Sequence, residues 1–262
     1  FQTERLPPKH WAVFKKEHIS SAKSLKPRTD DIFVCTYSKC GTTWIQHIVH
    51  QLLGKTEYEV SETNLNKGEK ENGQKAPLFV VSPMIESVGG AFVDAMESPR
   101  ILKSHLPYSD IPKGGGAKYI FAVRIPKDCL TSFFHHHRNL KVFNFENGSF
   151  DLFFDIFMEG RVAVGDYFDH LNSWLEASSL ASMKVNQGRW IPDKWQRGEF
   201  IRKGGSRNWK EHFSYEQSLR MDKRFRERCG LTAAAEWWRE EMAWNDEDVV
   251  PTAVTPRVAS KL

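Results

Sequence analysis

The stretch Asp31-Ile-Phe-Val-Cys-Thr-Tyr-Ser-Lys-Cys-Gly-Thr-Thr-Trp44 constrains the fold more than any other part of the chain. Ile32–Thr36 is a short, apolar, β-rich run and reads as a buried strand. Ser38, Lys39, Cys40 and Gly41 break it, and Trp44, Ile45, Ile48, Val49, Leu52 and Leu53 then recur at helical spacing. Strand, glycine-containing loop and helix is the geometry that cradles a phosphate, because loop N–H groups and the helix N-terminus present partial positive charge. Lys39 adds a full charge, and Thr42 and Thr43 add hydroxyls at the helix start. The nucleoside-triphosphate loop orders its residues differently, with a leading glycine, four residues and then Gly-Lys-Ser/Thr. Here the lysine comes before the only glycine, and Cys35 and Thr36 stand where the leading glycine belongs, so a Mg²⁺-dependent NTPase is disfavoured. Taken alone, the segment leaves an ordinary βα turn open.

Lys118–Phe134 repeats the pattern. A strand from Tyr119 to Val123 ends on Arg124, Pro126 suits the first turn of a helix, and Ser132 lies about two turns further on. A guanidinium at a strand end offers a two-pronged donor for phosphate oxygens. Upstream, Arg100-Ile-Leu-Lys-Ser-His-Leu-Pro107 reads as a short strand that brings Lys103 and His105 to its end. Ligands of an open α/β sheet sit beyond the carboxyl ends of its strands, so Lys39, His105 and Arg124 share one crevice on this reading. Arg202-Lys-Gly-Gly205, followed by Trp209-Lys210, is a basic loop that could close over an anion or be a solvated turn.

These segments together resemble the cytosolic sulfotransferase family. Its first phosphate loop, Thr-Tyr-Pro-Lys-Ser-Gly-Thr-Thr-Trp, is similar to Thr36-Tyr-Ser-Lys-Cys-Gly-Thr-Thr-Trp44, and its Lys-Thr-His-Leu-Pro is similar to Lys103-Ser-His-Leu-Pro107. Its Arg-Asn-Pro-Lys-Asp with a downstream serine resembles Arg124-Ile-Pro-Lys-Asp128 and Ser132, and its Arg-Lys-Gly, Trp-Lys and Phe resemble Arg202–Gly204, Trp209-Lys210 and Phe213. Phe157-Met-Glu-Gly160, Gly165 and Asn172-Ser-Trp174 follow the family as well, in the family's order. The departures are Ser38, Cys40 and Ile125, where the family has Pro, Ser and Asn. After Ala177 a further segment is missing: a strand ending in Tyr-Glu-Asp and its helices. Leu180 stands where the family has its adenine-stacking phenylalanine.

The resemblance implies an α/β fold, a central parallel sheet with flanking helices and a P-loop-like phosphate loop, here lacking one strand. It implies a sulfotransferase-like domain over residues 1–232 with the internal deletion near 177, followed by a divergent C-terminal helix and tail over 233–262. The implied reaction is transfer of a sulfuryl group from 3′-phosphoadenosine 5′-phosphosulfate to a hydroxyl or amine of a small apolar acceptor such as a phenol or steroid. His105 would be the general base, with Lys39 and Lys103 stabilising charge. Lys39, Cys40, Gly41, Thr42, Thr43, Trp44, Arg124, Ser132, Leu180, Arg202, Lys203 and Gly204 would hold the donor. Leu78, Phe79, Val81, Phe134 and His136 would line the acceptor pocket. No metal is expected. The alternative is an inactive relative that binds the donor or its bisphosphate product but is disabled by the missing segment; a nucleotide kinase is more distant.

Other features set limits. Net charge is +4, which suits an anionic cofactor without calling for nucleic acid. The N-terminal stretch is polar and no apolar run approaches membrane-spanning length. The four cysteines form no CxxC pair, which fits reduced thiols and a cytoplasmic location. His135-His136-His137 invites a zinc reading, but successive helical residues point about 100° apart and cannot share one ion. The family's dimer stretch is poorly matched by Lys210–Leu219, so that homodimer is not expected. Asn64–Lys75 and Gly188–Gly198 read as polar loops, Ala233–Trp244 as an amphipathic helix and 246–262 as a loose tail.

Overall fold

The computed structural model describes residues 14–55, 58–59, 76–180 and 207–245, with side chains excluded at 58–59, 76–77 and 178–180. Its centre is a parallel three-stranded sheet among these residues, with β1 (Ile32–Thr36) between β4 (Ile101–Ser104) and β5 (Lys118–Ala122). The register places Phe33 beside Leu102 and Tyr119. The expected strand bounds hold for β1, and β5 begins and ends one residue earlier than the sequence suggests. A second, two-stranded pairing joins β2 (Tyr58–Glu59) to β3 (Ala76–Pro77).

β1 is apolar throughout because both faces are covered, as parallel sheets require. Phe33 and Cys35 pack with Leu102, Ile85 and Trp174 on one side, whereas Val34 packs with Ile101 and Val49 on the other. The second side belongs to α2 (Thr42–Leu52) and the first to α8 (Tyr167–Leu180), whose Trp174 stacks on Phe121 with ring centres 4.9 Å apart. At the opposite strand ends, the buried Arg100 guanidinium donates Nε and Nη2 to the Asp31 carboxylate at 2.7 and 2.6 Å. This pair fixes β1 and β4 in relative height, so their carboxyl ends reach the same level.

Four shorter helices complete the frame on the N-terminal side: α1 (Lys16–Lys23), α3 (Leu78–Val81), α4 (Ile85–Val88) and α5 (Gly90–Asp94). Beyond β5, α6 (Pro126–Asn139) opens on Pro126, whose missing N–H costs nothing at that position. Its buried face meets α7 (Phe150–Met158), capped by Ser149, and α9 (Tyr215–Cys229), which opens on a Ser214–Gln217 capping box. Phe133, Phe153, Phe154, Phe157, Trp209 and Phe213 lie in one aromatic core there.

Two expectations concern the chain's later half. The backbone of α8 is helical through Ala177 to Leu180. The residues beyond it, including Met183 and the 188–198 loop, lie outside the described residues, as do Asn64–Lys75 and the tail from 246. The single amphipathic helix expected over Ala233–Trp244 is not formed. A 3₁₀ turn at Ala233–Glu236 and a short α10 (Arg239–Met242) are separated by Trp237 and by Trp238 at φ 61°. Periodicity is overridden by tertiary contacts. Trp237 and Trp238 pack on the aromatic core, and the carbonyls of Glu240, Glu241, Met242 and Trp244 accept from Arg207, Trp209, Lys127 and Lys210.

Candidate active site

All three strands point the same way, so the loops leaving β1, β4 and β5 meet at one edge of the sheet. The loop after β1 is wound tightly around Cys40. Lys39 has φ 67° and Gly41 φ 89°, both left-handed, and the Cys40 N–H donates to the Tyr37 carbonyl at 3.2 Å. A Cβ on Gly41 would meet nothing within 4 Å, so glycine is there for its backbone freedom, not for space. Thr36 and Thr42 share a hydroxyl–hydroxyl bond of 2.6 Å that closes the loop on the strand. The first helical bond of α2 runs from the Ile45 N–H to the Gly41 carbonyl. The N–H groups of Thr42, Thr43 and Trp44 precede it, at the positive end of the helix. Tyr37 holds the loop from beneath: its hydroxyl donates to the Gly165 carbonyl at 2.7 Å and its ring meets Phe133, Phe157 and Tyr167 edge-on.

Arg124 follows β5, and its Nη1 reaches the Lys39 carbonyl at 3.5 Å while its own carbonyl accepts from the Tyr167 hydroxyl at 2.6 Å. The guanidinium therefore lies against the loop after β1. Ser132, half-buried, is on α6. The Asp128 carboxylate accepts the N–H groups of Arg207 and Trp209, each at 3.2 Å. This contact ties the segment after the Arg202–Gly204 loop to the first turn of α6. Lys127 is fully buried beneath it, donating to the Ser218 hydroxyl at 2.7 Å and paired with Asp222 at 2.6 Å. Burial lowers its pKa to about 8 against the pull of Asp222.

His105 follows β4, and its Nδ1 lies 2.8 Å from the Thr36 carbonyl. A carbonyl only accepts, so Nδ1 carries the proton and Nε2 the lone pair. Burial, and secondarily the Lys103 charge, hold this imidazole well below the ordinary histidine range. Its backbone N–H donates to Glu86 Oε1 at 2.5 Å. Burial pushes Glu86 up to about 7, and the His105 N–H opposes that rise. Lys39 Nζ lies 3.4 Å from His136 Nδ1. Burial, and then the Lys39 charge, lower His136 to about 3. Lys39, Lys103, His105 and His136 thus form one electrostatic cluster in which both imidazoles are neutral.

The remaining expected residues fall less neatly. Trp44 is half-exposed at the start of α2. Leu78 is buried in α3, with Phe79 and Val81 half-buried beside it. Phe134 packs among Phe150, Phe153 and His212 in the aromatic core. Leu180 ends α8, and its side chain, with Arg202, Lys203 and Gly204, lies outside the described residues. The three consecutive histidines diverge as helical geometry demands: His135 meets His212, His136 meets Lys39, and His137 Nδ1 lies 2.9 Å from the Phe133 carbonyl. Among the described residues no group of three or more His, Cys, Asp or Glu could hold a metal ion. Sequence reasoning missed Glu86 and the anchoring role of Asp128. Asp128 was within reach as part of Arg124-Ile-Pro-Lys-Asp128; Glu86 carried no local signal.

A tight glycine-containing loop, an adjoining arginine and a neutral histidine meet at the carboxyl edge of a parallel sheet, which defines an α/β protein whose loops converge there. A model of the sulfotransferase domain matches residues 29–185, more than half of the chain. The chain belongs to the sulfotransferase domain family. Sulfotransferase 1C2 of Rattus norvegicus is 32% identical over 169 residues, which cover 61% of this chain and 53% of that protein. The chain thus spans about half the length of that relative. Sulfotransferase 1C2 of Oryctolagus cuniculus is 28% identical over 266 residues, covering 79% and 85%. Among solved structures, mouse sulfotransferase SULT7A1 complexed with PAP aligns with a TM-score of 0.59 at 21% identity, covering 82% of this chain and 90% of that one. Retinol dehydratase in complex with androsterone and inactive cofactor PAP aligns at 0.56 and 20% identity, covering 82% and 86%. At these identities the two structures speak for the fold.

Proposed function

We propose that the protein transfers a sulfuryl group from 3′-phosphoadenosine 5′-phosphosulfate to a hydroxyl or amine of a small apolar acceptor, such as a phenol or steroid. The observation that carries this reading is the neutral His105, held on the Thr36 carbonyl beside the charge of Lys103, where β1 runs into its loop. The donor fits the residues present. The loop N–H groups, Lys39 and Thr43 suit its 5′-phosphate, and Arg124 and Ser132 suit a second phosphate, with Arg124 already against the loop at the Lys39 carbonyl. Arg202, Lys203 and Gly204 precede the Asp128-anchored Arg207 by only a few positions and would complete that second site. When bound, the donor supplies the sulfuryl group in activated form.

His105 takes the acceptor's proton at Nε2, the nitrogen its Thr36 contact leaves with a lone pair. Lys39 and Lys103 stabilise the negative charge that spreads over the transferred group and the leaving phosphate, a form of electrostatic stabilisation that usually dominates such reactions. Leu78, Phe79, Val81, Phe134 and His136 would receive the acceptor. No metal is needed on this reading, because the cationic side chains carry the charge. Four free, buried thiols fit a reducing, cytoplasmic compartment.

Calorimetry with adenosine 3′,5′-bisphosphate and with 5′-AMP tests the donor site. Tighter binding of the bisphosphate is expected, and equal affinities would overturn the second-phosphate assignment. Transfer from labelled donor to a panel of phenols and sterols should persist in excess EDTA. Bisphosphate binding without transfer to any of them would make the protein a binding-only relative.

A further inference from the structure

Two of the protein's thiols face each other inside the phosphate-binding apparatus. Cys40 Sγ lies 3.7 Å from Cys129 Sγ, and both residues are buried and free. Cys40 belongs to the loop after β1, and Cys129 to the first turns of α6, between Arg124 and Ser132. A covalent link between them would join the loop proposed for one phosphate to the helix proposed for the other. We infer that Cys40 and Cys129 form a reversible redox cross-link that switches off binding of the bisphosphorylated donor. This inference rests on the proposed function for its consequence, though not for its chemistry.

The pair differs from the other thiols in having a sulfur partner. Cys229 Sγ points to Asn172 Oδ1 at 3.6 Å, and Cys35 is fully buried within the sheet. The oxidant is a hydroperoxide. The Cys40 sulfur attacks a peroxide oxygen, the O–O bond breaks, and the thiol's proton passes to the departing oxygen, which leaves as an alcohol (water, for hydrogen peroxide), giving a sulfenic acid. Cys129 sulfur then attacks the Cys40 sulfur, the S–O bond breaks, and hydroxide leaves with the Cys129 proton as water. Two thiols lose two hydrogens in all, and the peroxide is reduced by two electrons.

Geometry supplies the switch. A disulfide brings its sulfurs to about 2.05 Å, so the pair must close by about 1.7 Å from its 3.7 Å contact. Both residues lie in the aromatic core, but Cys129 is held in the α6 helix while Cys40 sits on a turn between left-handed Lys39 and Gly41, so the loop gives way. The Cys129 thiol now donates to the Ser38 carbonyl at 3.3 Å, and that bond is lost as well. A displacement of this size in a preorganised site is costly, since about 1 Å of misplacement can lose about 100-fold.

Treatment of the full chain with hydrogen peroxide, followed by intact-mass and peptide analysis, tests the link. A species about 2 Da lighter than the reduced chain, with the Cys40 and Cys129 peptides joined, is expected. Affinity for adenosine 3′,5′-bisphosphate should then fall at least about tenfold and return with dithiothreitol. Cys129→Val should bind the bisphosphate before and after peroxide alike. Peroxide that yields no joined peptides, or joined peptides with unchanged affinity, would overturn the switch; so would a Cys129→Val chain that still loses binding reversibly. A reduced chain that never binds the bisphosphate would instead refute the proposed function, and the peptide analysis would still decide the cross-link. The wild-type peptide result does not depend on the variant's folding.

Discussion

Glu86 offers the sharpest test of the site's electrostatics. It is fully buried on α4, with Oε1 accepting the His105 N–H, and burial raises its pKa from the ordinary 4.5 to about 7. An acid with a raised folded pKa binds its proton more tightly in the native state, so stability falls as pH climbs from the unfolded value through the folded one. At about 1.36 kcal/mol per pKa unit, the full rise corresponds to about 3 kcal/mol. Most of that, about 2–3 kcal/mol, is lost between pH 5 and pH 8, because the unfolded carboxyl is already mostly ionised at pH 5. Glu86→Gln keeps an acceptor for the His105 N–H and removes the titration. The variant's stability relative to wild type should therefore improve by about 2–3 kcal/mol from pH 5 to pH 8, read from urea unfolding at each pH. A wild-type-to-variant difference that stays constant across that range would show that Glu86 ionises normally. The claim that burial governs this site would then fail, and with it the same argument for His105.

His105→Ala should lower turnover by ~10²–10⁴-fold while bisphosphate affinity, measured by calorimetry, persists; unchanged turnover would send the base role to another group. Because His105 is held well below the ordinary histidine pKa near 6.5, kcat/KM should stay flat from about pH 8 to about 6.5. A loss centred at or above that value would contradict the depressed pKa. Asp128→Ala strips two backbone donors of their acceptor and should cost ~1–3 kcal/mol each while weakening bisphosphate binding. Unchanged affinity would separate the 207–209 segment from the donor site. Arg100→Met leaves Asp31 charged and buried and should cost ~3–5 kcal/mol in urea unfolding, a penalty that a loss under ~1 kcal/mol would disprove.

Local chemistry wrote itself into the sequence where a residue's role depends on its neighbours along the chain. The Ile32–Thr36 strand, the left-handed turn that Gly41 permits, the helix behind it and the Pro126 start of α6 follow from periodicity and from two residues with special backbones. The placing of His105 at the Thr36 carbonyl and of Arg124 at the Lys39 carbonyl follows the same logic, because parallel strands carry their following loops to a common edge. The C-terminal stretch shows where the pattern misleads. Its helical spacing is real, but Trp238 turns left-handed and four carbonyls find side-chain donors from α6 and from the 207–210 segment.

The charge state of the site was decided only in three dimensions. No sequence pattern links Glu86 to His105, nineteen positions apart, or Lys39 to His136, ninety-seven apart. Their pKa values depend on burial and on charges brought close by folding, neither of which any stretch of sequence contains. Cys40 and Cys129 are the same kind of case, eighty-nine residues apart and ordinary in composition. The sequence by itself set where the backbone could turn between β1 and α2. Only the tertiary structure set which imidazoles stay neutral there and which thiols touch, because burial, distance and dielectric are properties of packing.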